Sequence, residues 1–167
     1  MRRKWIAGII VCLVMLLAGA ETTFADESYA ETPLAGASEG QRSNILLAAQ
    51  AIDGTRLGFG EGFSFNQTVG ERSEEYGFQS AANGRGVSVV GGGVAQTATT
   101  LYLALMQRDD IEYSSIYTYN ENFTGGYVDS GYDAIATDYD DGLDFAFNSY
   151  YEGELVIYIW IDGEALC

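Results

Sequence analysis

The chain has 167 residues, of which 24 are Asp or Glu, 8 are Lys or Arg and none is His, giving a formal net charge of −16 at pH 7. A field of that sign repels phosphate backbones and anionic lipid surfaces, which argues against nucleic acid or a membrane surface as partner. Cations, or basic or neutral partners, fit it, and so does a charge kept only for solubility; the length and 47% hydrophobic content suit one packed domain.

Arg2, Arg3 and Lys4 precede an apolar run from Trp5 to Leu17, the charge order of a secretory leader. The run is short for a membrane span, although the same segment left uncleaved would be an anchor helix. Ala18-Gly19-Ala20 and Thr23-Phe24-Ala25 are two possible cleavage sites, and a lipid anchor is not expected because Ala20 stands where a lipoprotein needs cysteine. Residues 1–25 are therefore expected to be a signal peptide, with no stable membrane anchor after cleavage. Losing Arg2, Arg3, Lys4 and Glu21 takes the balance from 8 basic and 24 acidic residues to 5 and 23, a net charge of −18. Cys12 leaves with the leader, so Cys167 is the one remaining thiol and an intramolecular disulfide is excluded.

Residues 26–37 are small and polar, include the only proline, Pro33, and read as a flexible tether; the domain is expected over 38–167. Ser38 and Gln41 match a capping box, and Ile45, Ala48, Ala49 and Ile52 share a helical face, predicting a helix over 39–53 stopped by Gly54. Gly58-Phe59-Gly60-Glu61-Gly62-Phe63-Ser64-Phe65-Asn66 reads as a loop entering a short strand, with its phenylalanines as core anchors. Gly86 to Val90 reads as a strand running into Gly91-Gly92-Gly93. Val94, Ala98, Leu101 and Leu105 then mark one face of a second helix, ending at Gln107 or Arg108. Ile111 to Tyr119, the Leu143, Phe145 and Phe147 face, and Leu155 to Ile161 read as strands, with turns at Gly125-Gly126, Asp141-Gly142 and Glu152-Gly153. The expected fold class is α+β: two main helices followed by a mostly antiparallel sheet.

The stretch from Gly91 to Tyr102 carries the chemistry, because a strand, a glycine triplet and a helix start place free backbone N–H groups and the positive end of a dipole around Ala95 and Gln96. That geometry suits an anion or a thiolate. The motif follows Asn44-Ile45, Gly60 to Asn66, Val69-Gly70 and Gly77-Phe78, and precedes Gly131-Tyr132-Asp133-Ala134 and Asp144 to Asn148. This ordered series resembles the VanW domain family, named from glycopeptide-resistance gene clusters and widespread in exported proteins of Gram-positive bacteria. The resemblance covers about 120 residues, from Arg42 to Gly163, essentially one whole domain.

The resemblance implies a Gly-Gly-Gly-x-Cys-Gln pattern with a histidine further on. Here Ala95 stands at the cysteine position, Gln96 is retained, and the histidine column falls near Glu121. A cysteine at a helix start with a histidine base is the order of papain-like hydrolases, so thiol chemistry on cell-wall peptides is implied for the family by analogy and not for this chain. The leading expectation is an exported, catalytically silent module binding a cell-wall component or an envelope protein. Gly91, Gly92, Gly93, Ala95, Gln96, Asn66 and Asp133 are the candidate ligand-binding residues. The alternative is a cell-wall peptide hydrolase or transferase using Ser64, Thr97, Glu61 or Asp133, with Gly92 to Val94 amides as an oxyanion site. A purely structural envelope partner is a third reading.

No cofactor and no metal are expected. Asp138 to Asp144 gathers carboxylates beside Gly142 but is one residue short of EF-hand spacing, with Ser149 where the bidentate glutamate belongs, and reads as a solvated hairpin. Tyr113, Tyr117, Tyr119 and Tyr127 form a stripe for packing on the sheet or for stacking on sugar rings.

Overall fold

A computed structural model describes residues 26–119, 123–129, 132–153, 155–161 and 164–165. The expected leader, Glu121, Gly131 and Cys167 lie outside the described residues.

Strand β1 (Asp26–Thr32) is followed by helix α1 (Glu39–Ile52), which starts and stops where the capping box and Gly54 predict. Ser38 Oγ accepts from Gln41 N, and the Gln41 side chain accepts from Ser38 N, so two otherwise orphaned donors are satisfied reciprocally. Strand β2 (Gly62–Ser64), a short helix α2 (Phe65–Val69) and a hairpin of β3 (Ser80–Ala82) and β4 (Ser88–Val90) lead into helix α3 (Val94–Leu105). The chain closes with β5 (Ile111–Ser115), β6 (Ala146–Ser149), β7 (Leu155–Ile161) and β8 (Glu164–Ala165).

Two long helices, α1 and α3, and a largely antiparallel set of strands bear out the α+β reading. The strands form three small sheets, ordered β1-β7-β8, β2-β6-β5 and β3-β4. Among the described strands only β1 and β7 pair in parallel, with Tyr29 beside Tyr158 and Thr32 beside Ile161. Residues Asp26–Thr32 were expected to be tether. They form a strand because Ser28, Ala30 and Thr32, small side chains on alternate positions, face inward and let β1 lie close to α3. Ser28 Oγ donates to the Ala104 carbonyl, and Thr32 shares a 2.8 Å hydrogen bond with Thr100.

Helix α3 is the centre of the molecule. It packs on α1, β1 and β7, and ten of its twelve residues are buried, not only the stripe that its periodicity marked. Its buried threonines stay satisfied: Thr99 and Thr100 donate to the carbonyls of Ala95 and Gln96 at 2.8 Å, and Thr97 to that of Ile45 at 3.2 Å. The core around it is aromatic, with Phe65 and Phe145 fully buried and Phe63 stacked on Phe147 across β2 and β6 at 5.1 Å. Each such ring contributes roughly 1.5–3 kcal/mol by leaving water. The strand expected over Ile111 to Tyr119 stops at Ser115, after a register shift between Tyr113 and Ser115, and Thr118 pairs with Ile135 in an isolated bridge outside it.

Candidate functional site

Each glycine of the triplet before α3 meets a different constraint. Gly91 and Gly93 take φ of +81° and +104°, a region that side chains disfavour. Gly92 has no room: an added Cβ would lie 2.0 Å from the Ala81 carbonyl oxygen. Asn44, fully buried on α1, fastens this turn by donating from Nδ2 to the carbonyls of Gly92 and Gln79, both at 2.8 Å, and accepting from Gln79 N at 2.8 Å. The Gly92 and Val94 amides donate to Val89 and Gly91 carbonyls, so they do not form the oxyanion site considered above.

The helix start opens onto a cleft of about 570 Å³. Gly91, Gly93, Val94 and Ala95 line it together with Asn83, Arg85, Val89 and Val90 from the β3–β4 hairpin. Arg72, Ser73 and Glu74, Tyr119, and the segment from Ala136 to Asp141 with Leu143 complete the lining. Ala95, 7% exposed, presents a methyl group there and otherwise packs with Tyr119, Tyr127, Ala134 and Ala136. At the second position of α3 it has the dipole environment expected of the thiolate position, without the sulfur.

The remaining predicted site residues do not line this cleft. Gln96 is 3% exposed and donates from Nε2 to Thr32 Oγ1 at 3.0 Å and the Pro33 carbonyl at 2.9 Å, tying β1 to α3. Asn66 braces the acidic hairpin, donating from Nδ2 to the carbonyls of Asp138 (3.2 Å) and Leu143 (3.0 Å). Asp133 is exposed outside the cleft lining. The groups considered for non-thiol chemistry are dispersed and committed locally. Ser64 Oγ donates to Asp144 at 2.5 Å, Thr97 is buried against α1, and Glu61 accepts from the Gly58 amide at 2.7 Å.

The acidic hairpin is an Asx-type turn, in which Asp138 Oδ1 accepts from the amides of Asp140 (3.0 Å) and Asp141 (3.1 Å) and Asp138 bridges Leu143. Among the described residues no group of three or more His, Cys, Asp or Glu side chains is placed to hold a metal ion. The tyrosine stripe is divided: Tyr119 and Tyr127 are buried beside Ala95, Tyr113 packs against Tyr102 and Phe145, and Tyr117 is exposed. Burial pushes the Tyr119 phenol up, while a hydrogen bond with the Gly84 backbone and the Arg85 charge oppose the shift.

Two cleft residues escape the motif reading, Arg72 and Arg85. Arg72 has its guanidinium carbon 5.8 Å from the Phe65 ring centroid and 5.7 Å from that of Tyr139. Its Nη1 and Nη2 are buried without a hydrogen-bond partner. Desolvation lowers its pKa, with Asp138, Asp144, Tyr139 and Asp140 pulling the other way. Arg85 is exposed on the hairpin and stands 5.8 Å from the Tyr119 ring. The signal available in the sequence was scarcity, since only five cationic residues lie beyond Ala25.

A glycine-triplet helix start beneath a cleft, buttressed by a buried asparagine, is the arrangement into which the ordered motifs fold, and the chain belongs to the VanW like protein family, matched over residues 40–167. It is similar to "Uncharacterized protein YoaR" of Bacillus subtilis (strain 168), with 35% identity over 117 residues. The similarity takes in 68% of this chain and 37% of that protein, so the chain spans little more than a third of its relative's length. No solved structure matches it. Among the described residues no helix is long and apolar enough to cross a membrane.

Proposed function

We propose that this chain is an extracytoplasmic, catalytically silent VanW module that binds a component of the cell envelope in the cleft over Ala95. The carrying observation is that the cleft stays open at the helix start although the side chain there is a methyl group. A methyl cannot act as a nucleophile, and the hydroxyls of Ser64 and Thr97 are spent on structural hydrogen bonds outside the cleft. A pocket of this volume, part apolar with a few polar groups, is of the kind that holds small ligands or the end of a larger one. Placement outside the cytoplasm is supported by the leader pattern from Arg2 to Ala25 and by family membership.

Co-sedimentation with purified peptidoglycan tests the binding role. The folded protein is expected in the pellet well above a heat-denatured control, and equal recovery of the two would sink the proposal. Release of soluble muropeptides during the same incubation would overturn the catalytically silent part.

A further inference from the structure

The cleft holds two of the five arginines beyond Ala25, in a chain whose overall charge is strongly negative. Arg72 is the more telling of the two. A buried guanidinium is tolerated when acceptors replace the water it has lost, and a missing acceptor costs several kcal/mol. The carboxylates whose charge reaches it, Asp138, Asp144 and Asp140, hydrogen-bond neither of its terminal nitrogens. Asp144 accepts from Ser64 Oγ and from Asn66 N at 2.8 Å, while Asp138 Oδ1 serves the amides of its own turn. Arg72 is therefore held by the rings of Phe65 and Tyr139 without an anion on its terminal nitrogens. The Gly91 position is kept clear for it, because a Cβ there would fall 2.7 Å from Arg72 Cβ and Cγ.

We infer that the cleft receives the carboxylate end of a peptide-like ligand, bound beside the start of α3 by the exposed guanidinium of Arg85 and by that of Arg72, whose terminal nitrogens are closed to solvent and become reachable when the exposed Tyr139 ring beside them moves aside. This deepens the envelope-binding reading and rests on it for the location of the site. A planar carboxylate matches the guanidinium fork and carries a single charge. A phosphate carries more charge into a cleft that also contains Glu74, Asp138, Asp140 and Asp141, and is repelled more strongly. Those same carboxylates suit the amide or ammonium donors of a peptide, while Val94, Ala95 and Ala136 leave small apolar surfaces for short side chains.

The test follows the arginine side-chain Nε–H signals of the ¹⁵N-labelled protein during titration with N-acetyl-trialanine bearing a free carboxylate, with its C-terminal amide, and with inorganic phosphate. The free acid is expected to shift the Arg72 and Arg85 signals and to bind at least about tenfold tighter than the amide, the loss that one charge-assisted hydrogen bond implies. Arg85→Gln, at an exposed position, is expected to weaken the acid by a similar factor while leaving thermal unfolding unchanged. Equal binding of acid and amide, preference for phosphate, or a stationary Arg72 signal at saturation each overturns the inference. If peptidoglycan still retains the protein while neither peptide binds, the carboxylate inference fails alone. If the acid binds through both arginines but peptidoglycan does not retain the protein, the envelope reading fails instead.

Discussion

Helix α3 has an arginine near each end, and the fold treats the two in opposite ways. Beyond the C-terminus, Arg108 forks onto Asp110, with Nε 2.8 Å from Oδ1 and an Nη 2.5 Å from Oδ2, and reaches Asp26 Oδ2 at 3.0 Å. It also lies 5.2 Å from the Tyr151 ring centroid. The hydrogen bond to Asp110 raises the Arg108 pKa above its ordinary value, and the same bond draws the Asp110 carboxyl below its own. That end is a closed clamp joining α3 to β1 and β5, with a cation placed where the helix dipole favours one. Near the N-terminus, Arg72 is desolvated, its pKa is lowered and its terminal nitrogens have no acceptor. Completed charge pairs fasten structure, whereas an incomplete one beside a cleft is a place where a ligand can supply the missing half.

The largest expected effect lies at the helix start, where rigidity rather than charge is at stake. Gly92→Ala puts a methyl against the Ala81 carbonyl and disturbs the turn that Asn44 holds, so a loss of about 3 kcal/mol in urea unfolding is expected. An unchanged midpoint would mean that the turn yields easily, and the contrast between a built platform and a built clamp would go. Arg108→Gln comes next, at about 1–2 kcal/mol at neutral pH, since it leaves two carboxylates without their partner. The Asp110 pKa is depressed in the folded state, so its contribution is fully present above the ordinary carboxylate value of about 3.9 and disappears as pH falls through the lower folded value. Wild type and Arg108→Gln should therefore converge in acid. Urea midpoints compared at neutral pH and at steps down through the acid range to about pH 2 read this directly, and a gap that did not shrink along the series would remove the ion pair as its cause.

The clamp and the cleft also differ in how far the sequence announces them. Helix α1 was legible because its cap and its apolar spacing are local, and the glycine triplet because its backbone demands are carried by the glycines themselves. Strand β1 was not, since the residues it turns inward are Ser28, Ala30 and Thr32, and a close approach to α3 selects small side chains rather than an apolar alternation. Gln96 was placed with the ligand site because it follows Ala95 at the helix start. A helix buried on nearly every side sends successive residues to different neighbours, and Gln96 goes to β1. Arg72 could not be found from its surroundings in the chain, because Tyr139 lies far from it in sequence and meets it only through the fold.

The smallest expected change in stability, about 1 kcal/mol because a sulfur is added at a residue only 7% exposed, is the sharpest probe of the N-terminal end. Ala95→Cys, in a background with Cys12→Ser and Cys167→Ser, places a single thiol at the second residue of α3, on the wall of the cleft. The helix dipole and the guanidinium groups of Arg72 and Arg85 favour the thiolate, while Glu74, Asp138, Asp140 and Asp141 oppose it. With the arginines unpaired, the positive terms should prevail. The pH dependence of alkylation by iodoacetamide is then expected to have its half-point below the ordinary thiol value of about 8.5, and Arg85→Gln should move it upward. A half-point at or above the ordinary value would make the acidic wall dominant and the N-terminal end no more receptive to anions than the clamp. No hydrolysis of cell-wall peptides should accompany the reactivity, because a nucleophile also needs a base within hydrogen-bond reach and the chain contains no histidine.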